Sequence, residues 1–242
     1  MRSKQSGFTL VEIAIVLVII GLLLGGVLKG QELINSAKIK NVANDLNGIA
    51  AGVYAYQDRY KTFPGDDGAA LARWSTTFNG NKDGVVGADP TGAALATTAN
   101  FNDAPPAALA ASTNETILFW HHMRLAGFVS GSTAGTDGGD QPQNAVGGIV
   151  GIQTGAGKLT AGVSQDVGGL VVCTSNLNGK IAGAIDQQFD DGVATTGTLR
   201  GYTQSKTPVT RGGTNPTRPA ATNATVYNAA DDTELYTICK SL

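Results

Sequence analysis

From Phe8 to Leu28 the chain is an almost unbroken apolar run in which Glu12 is the single charge. As a helix rising 1.5 Å per residue, the run is about 30 Å long, the thickness of bilayer hydrocarbon. Arg2 and Lys4 lie just before it. The positive-inside rule therefore leaves the short N-terminal end in the cytoplasm and the bulk of the chain across the membrane. The alternative is an ordinary secretory signal peptide. That would need a shorter core and a small-x-small cleavage site behind it, and this run offers neither.

Glu12 is the informative residue, because an ionised carboxylate in hydrocarbon is costly and marks function by default. No cation lies within one turn of it on the apolar side. A cut after Gly7 would create an amino group on Phe8, four residues away and on the same helical face. In a parallel stack, the amine of one copy could neutralise the glutamate of the next, which would couple extraction from the membrane to assembly. The alternative is a carboxyl at the membrane interface that stays protonated or snorkels to water.

The segment Gly7-Phe8-Thr9-Leu10-Val11-Glu12 resembles the signal of prepilins and pseudopilins, which has glycine before phenylalanine and glutamate at the fifth mature position. The resemblance implies that residues 1–7 are a leader removed after Gly7 by a prepilin peptidase. It also implies methylation of the Phe8 amine and a filament role for Glu12. In one respect the chain departs from many major pilins, which carry a proline late in the apolar segment. Here that position is Lys29, with Gly25, Gly26 and Gly30 around it. Glycine weakens a helix locally, so a stretch melted on assembly is expected near 25–30.

Residues 29–60 continue the helix in amphipathic form. Ile39, Val42, Leu46, Ile49, Val53, Tyr56 and Tyr60 recur at spacings of three and four, and no proline interrupts before Pro64. One helix over about 9–60 is expected, its first half packing on other subunits and its second on its own head. A transmembrane helix followed by a separate coiled coil is the other reading. Residues 61–242 are read as one globular head. Gly is 33 of 242 residues and charged residues are 15% of the chain, about twice and just over half the usual shares.

In the head, Asp89–Ala111 and Ser130–Asn144 read as surface loops. Helices are expected from a capping box at Ser112-x-x-Glu115 to Gly127, and over Asn178–Phe189. Strands are expected at Ala145–Ile152, Gly169–Thr174, Leu199–Thr203 and Thr233–Cys239. The fold class is therefore α+β: a long N-terminal helix packed on an antiparallel-sheet head. Phe63-Pro64-Gly65-Asp66-Asp67, Trp120 to Gly127 and Ile181 to Gly192 resemble stretches of a pilin-like subfamily and name no activity.

With only two cysteines, a four-cysteine zinc site and a disulfide-dense scaffold are excluded. Cys173 and Cys239 lie in apolar strand-like contexts on the oxidising side of the membrane, which favours one bridge over two buried thiols. Asn79, Asn81 and Asp83 offer oxygens at alternate positions, with Gly84 sixth and the Val85 carbonyl seventh, as in the start of an EF-hand calcium loop. Pro90 stands where the final acid belongs, so Asp66 or Asp67 would have to complete the shell. The other reading is an Asn/Gly turn cluster. Asp190-Asp191-Gly192 reads as a helix end whose carboxylates meet backbone amides, and His121-His122 as helix surface and packing.

Net charge is −2 and the basic residues are sparse, so no nucleic-acid partner is expected. Phosphate-loop, dinucleotide and nucleophile-elbow motifs are missing, and no catalysis is expected. The resemblance implies a filament subunit of a type IV pilus, with its own copies, other pilins and an inner-membrane assembly platform as partners. A type II secretion pseudopilin is the alternative, followed by a pilus-tip adhesin or DNA-uptake component.

Overall fold

A computed structural model of the chain describes residues 9–87, 101–102, 114–134, 136–156, 167–204, 206–212 and 226–242. Helix α1 spans Leu10–Tyr60 without a break, about 77 Å at the standard rise. Thr9 caps its start. Lys61, in the left-handed region at φ 59°, ends it by donating its N–H to the Gln57 carbonyl. Pro64 follows, as it commonly does just past a helix end. The helix runs straight through Gly25, Gly26 and Gly30.

The two halves of α1 meet different surroundings. Every residue from Leu10 to Leu28 is exposed. The second half buries Val42, Ala43, Leu46, Ile49, Gly52, Val53 and Tyr56, with Ile39 and Tyr60 packed at the margin of the same core. This is the stripe expected from the spacing. Gly52 adds a close approach, since a Cβ there would stand 2.7 Å from Met123 Cε.

The head adds α2 (Ala70–Trp74), α3 (Glu115–Leu125), β1 (Val150–Ala156), β2 (Val167–Asn178), α4 (Gly179–Phe189), β3 (Leu199–Thr203) and β4 (Leu235–Ser241). The four strands form one antiparallel sheet in the order β1-β2-β4-β3. Alternation along the strands gives the sheet two buried faces. Leu170, Val172, Tyr236 and Ile238 belong to the core that holds α1, α3 and α4. Val171, Cys173, Tyr202 and Cys239 face the other way, toward Phe101, Ile149 and Val209. A bulge between Thr174 and Leu177 shifts the register and returns Leu177 to the helix-side core. Asn176 sits inside that bulge at φ 61°, and its side chain both donates to and accepts from the Val209 backbone.

Several sequence expectations change in detail, among them the stretch Ser130–Asn144 read as a surface loop, which holds a short 3-10 turn at Thr136–Gly139 and buries Gln141 and Asn144. The first strand begins at Val150 rather than Ala145. Asn144 Oδ1 accepts the amides of Val146 and Gly148, and this side-chain competition with the ladder makes residues 144–148 a turn. Helix α3 begins at Glu115 and ends at Leu125. Its cap is Asn114, whose Oδ1 accepts the Thr116 amide, so Glu115 is its first residue rather than the third. Ser112 lies outside the described residues. Within the stretch read as a surface loop from Asp89 to Ala111, Phe101 and Asn102 are buried; the rest lies outside the described residues. Phe101 can lie on the sheet because residue 151 is glycine, where a Cβ would stand 1.9 Å from the Phe101 carbonyl oxygen. Finally, His121 and His122 are both fully buried, because α3 is covered on both sides rather than lying at the surface.

Cys173 and Cys239 are directly opposite in the β2–β4 register and form a disulfide. It joins the two central strands and closes a segment of 66 residues. In the chain-entropy account a loop of this size is worth about 4 kcal/mol. Replacing both cysteines by serine is expected to lower urea-unfolding stability of the detergent-solubilised chain by about that amount, with the slope against denaturant showing whether the unfolded state has expanded.

Candidate functional site

The N-terminal site is built by the helix start. Thr9 has an extended backbone and its hydroxyl accepts the Glu12 amide at 3.3 Å. In return, Glu12 Oε2 accepts both the Thr9 amide and the Thr9 hydroxyl, each at 2.8 Å. This is a reciprocal capping box, with a carboxylate held near the positive end of the helix dipole. The sequence reading looked for a cation and missed Thr9, although Thr-x-x-Glu is itself the signal for this arrangement. Both bonds fall on Oε2, and among the described residues Oε1 accepts no donor. Gly7 and Phe8 lie outside the described residues.

The second site forms where the loop 79–87 crosses the start of α3. Asp66 accepts the Asp83 and Gly84 amides, each at 3.0 Å. Glu115 accepts the Asn81 amide at 2.9 Å and the Gly87 amide at 3.1 Å. Gly80 is required for the crossing, since a Cβ there would lie 2.2 Å from the Gly65 carbonyl oxygen. Asp66, Asp83 and Glu115 thereby each offer a carboxylate oxygen within 4.8 Å of the others. Burial raises the Glu115 carboxyl to about 7 and raises Asp66 in the same direction, while the backbone amides pull the other way.

The structure brings together only part of the loop set read from the sequence. Asp83 lies in the carboxylate group, with Asn81 beside it through a 2.9 Å side-chain bond. Val85 follows with its amide on Asp83 Oδ1. Asn79 Oδ1 instead accepts the Leu71 amide at 2.8 Å. Of the two acids considered for completing the shell, Asp66 is present. Asp67 turns away to accept from the Tyr56 hydroxyl and the Ala69 amide and to pair with Arg73. Glu115 was legible only as a helix-start residue, because its partner loop is 28 to 36 positions earlier.

The histidines brace this region. His122 Nδ1 accepts the Gly65 amide, which leaves Nε2 to donate to the Phe78 carbonyl. His121 Nε2 must donate to the Thr133 carbonyl, so Nδ1 accepts from the Thr77 hydroxyl. The amide on Nδ1 fixes the His122 ring in the neutral form, and burial pushes the His121 ring below its usual range. Burial, the largest cause, lowers His122 to about 3. At the end of α4, Asp190 accepts the Thr198 and Leu199 amides and Asp191 accepts the Val193 amide, as expected for a capped helix end.

Residues 2–28 match the family model described as the prokaryotic N-terminal methylation motif. The chain carries the type IV pilin and prepilin signature. The matched residues contain Gly7, Phe8 and Glu12, the same positions that the apolar run and its lone charge single out. No curated protein matches the chain. The pilin motif points to a structural protein, and the exposed apolar half of α1 fits a membrane-anchored pilin.

His122 also sets a pH dependence. Its folded pKa lies below the ordinary 6.5, so between 6.5 and about 3 the unfolded chain takes up a proton that the folded chain refuses. This contribution to stability is therefore complete above pH 6.5 and declines as pH falls. Glu115, raised to about 7, acts in the opposite sense as pH falls from 7 to 4.5. Comparison with His122→Gln cancels that opposing effect. The wild-type advantage over this variant is expected to shrink by roughly 4–5 kcal/mol from pH 6.5 to 3. A pH-independent difference in denaturant stability would remove the buried neutral histidine.

Proposed function

We propose that the chain is a structural subunit of a type IV pilus-like filament, cut after Gly7, methylated on the Phe8 amine and polymerised through α1. The observation that carries this reading is the helix start. A carboxylate sits at the head of the exposed apolar half of α1, anchored through one oxygen to Thr9, with no donor on the other among the described residues. A new amine at residue 8 of a neighbouring copy has a place to bind there, and the neutralised pair lowers the cost of keeping Glu12 in an apolar bundle. Before assembly, α1 spans the inner membrane with Arg2 and Lys4 on the cytoplasmic side, where a prepilin peptidase acts. The head then lies in the periplasm, and the membrane and an assembly platform deliver the subunit to other pilins.

Replacing Glu12 with Ala tests the assembly step. Sheared surface filaments are expected to disappear while the cleaved protein persists in the membrane at normal amounts. Unchanged filaments would remove the role of Glu12. Filaments of the unaltered chain that never pass the outer membrane would instead point to a secretion pseudopilus.

The reading includes a calcium ion at the loop 79–87, supported by the approach of Asp83 to Asp66 and Glu115. It would offset the repulsion among three carboxylates and bind the loop to α3. Removing calcium with a chelator is expected to lower the melting midpoint of the detergent-solubilised chain by roughly 5 °C, with recovery on adding calcium but not magnesium. An unchanged midpoint would eliminate the ion.

A further inference from the structure

The Cys173–Cys239 bridge lies in one row across the sheet. Gly151 is the register partner of Cys173, and Arg200 that of Cys239. Directly paired residues share a face, so the row Gly151-Cys173-Cys239-Arg200 looks away from the helix-side core. Both cysteines are fully buried there, in one apolar cluster with Phe101, Ile149, Tyr202 and Val209.

Two different holds keep this cover down. Val209 exchanges two backbone bonds with the Asn176 side chain at the β2 bulge. Phe101 belongs to no strand. Its amide donates to Gln153 Oε1 at 3.1 Å, and its carbonyl accepts from Gln141 Nε2 at 3.4 Å. Its backbone is thus tied by two side chains rather than by a ladder. It rests on Gly151, where a Cβ would stand 1.9 Å from the Phe101 carbonyl oxygen and 2.8 Å from Phe101 Cβ. Asn102 ties the pair to the next segment, reaching the Thr210 carbonyl at 3.2 Å and accepting the Gly212 amide at 2.6 Å. A two-residue piece held in this way can lift by local opening, at lower cost than unfolding the sheet.

We propose that Phe101–Asn102 is a latch over the Cys173–Cys239 bridge, and that its local opening, with the sheet intact, sets the rate at which a thiol reaches the bridge. With the latch down, both sulfurs are shielded from exchange. With it up, the thiolate of an external dithiol attacks one Sγ, the S–S bond breaks and the other Sγ leaves as a thiolate. The reagent's second thiolate then attacks the mixed disulfide and frees the first Sγ. Two electrons pass from the dithiol, which ends as a cyclic disulfide, to the cysteines, which take up the two protons the reagent has lost.

The test is the rate of reduction of the full-length chain in detergent by excess dithiothreitol, with freed thiols trapped by a maleimide at timed intervals. Below the unfolding transition, the rate for the unaltered chain is expected to stay within about twofold as urea rises, because local opening exposes little surface. Phe101→Ala is expected to raise the rate by roughly tenfold or more. Gly151→Ala pushes the latch off from beneath, so it is expected to do the same and serves if Phe101→Ala does not fold. Leu46→Ala opens a cavity in the helix-side core instead. Without urea it is expected to leave the rate within about twofold of the original. A rate that climbs with urea along the slope of global unfolding would overturn the latch. So would an acceleration by Leu46→Ala equal to that of the latch variants, or latch variants that are reduced no faster than the unaltered chain.

Discussion

One helix has to satisfy two environments, and the rest of the structure follows from how α1 divides itself between them. Among the described residues its first half has no partner in its own chain, so its side chains need lipid or other helices. Its second half is the spine of the head, and Val42, Leu46, Val53 and Tyr56 lie at the centre of the main core. A helix with both duties cannot be broken between them without uncoupling the head from the anchor. The sequence places no proline before residue 64 and ends α1 only where Lys61 adopts the left-handed region.

Where α1 ends, a compact polar knot takes over. Asp66 and Asp67 are adjacent, so their side chains diverge. Asp66 gathers the amides of the 83–84 turn, and Asp67 holds Tyr56, the start of α2 and Arg73. Arg73 stacks over the rings of Tyr60 and Trp74 at 4.5 and 5.0 Å. His122 enters from α3, parallel to Tyr56 at 6.5 Å, and binds the Gly65 amide. Buried carboxylates are costly unless their oxygens are satisfied, and here backbone amides meet part of that need while Arg73 meets the charge of Asp67. Phe63-Pro64-Gly65-Asp66-Asp67 therefore works as a joint that fixes α1, α2, α3 and the loop 79–87 relative to one another.

Elements with a strong period were legible in the sequence. The apolar run and the three-four stripe placed α1 to within a residue at either end, because each buried position repeats on one face. β3 was placed at Leu199–Thr203, and the cross-strand cysteines were placed in strands that do pair. What escaped depends on contacts distant in sequence. The burial of Phe101 follows from a missing Cβ at Gly151, fifty positions away. The burial of His121 and His122 follows from amides and carbonyls at Gly65, Thr77, Phe78 and Thr133. Asn144 stopped a strand by capping its own turn. At the candidate sites, Glu12 stood out because a lone charge in an apolar run is conspicuous, whereas Glu115 did not, since an acid at a helix start is ordinary until its distant partners are known.

The head grips α1 along a single stripe, and among the described residues nothing covers the opposite side of the helix. Residues such as Asn41, Asn44, Asn47, Ala51 and Tyr54 are exposed between buried neighbours, so folding of the head and contact with other copies do not compete for the same side chains. The far face of the sheet is closed separately. Arg211 joins Gln141 and Asp140, and Asn102 reaches the Thr210 carbonyl, which seals Cys173 and Cys239 beneath Phe101 and Val209. The covalent bond between the central strands is thus kept away from solvent and from the helix face alike. A head braced in this way can transmit load from its own core to α1 through the stripe.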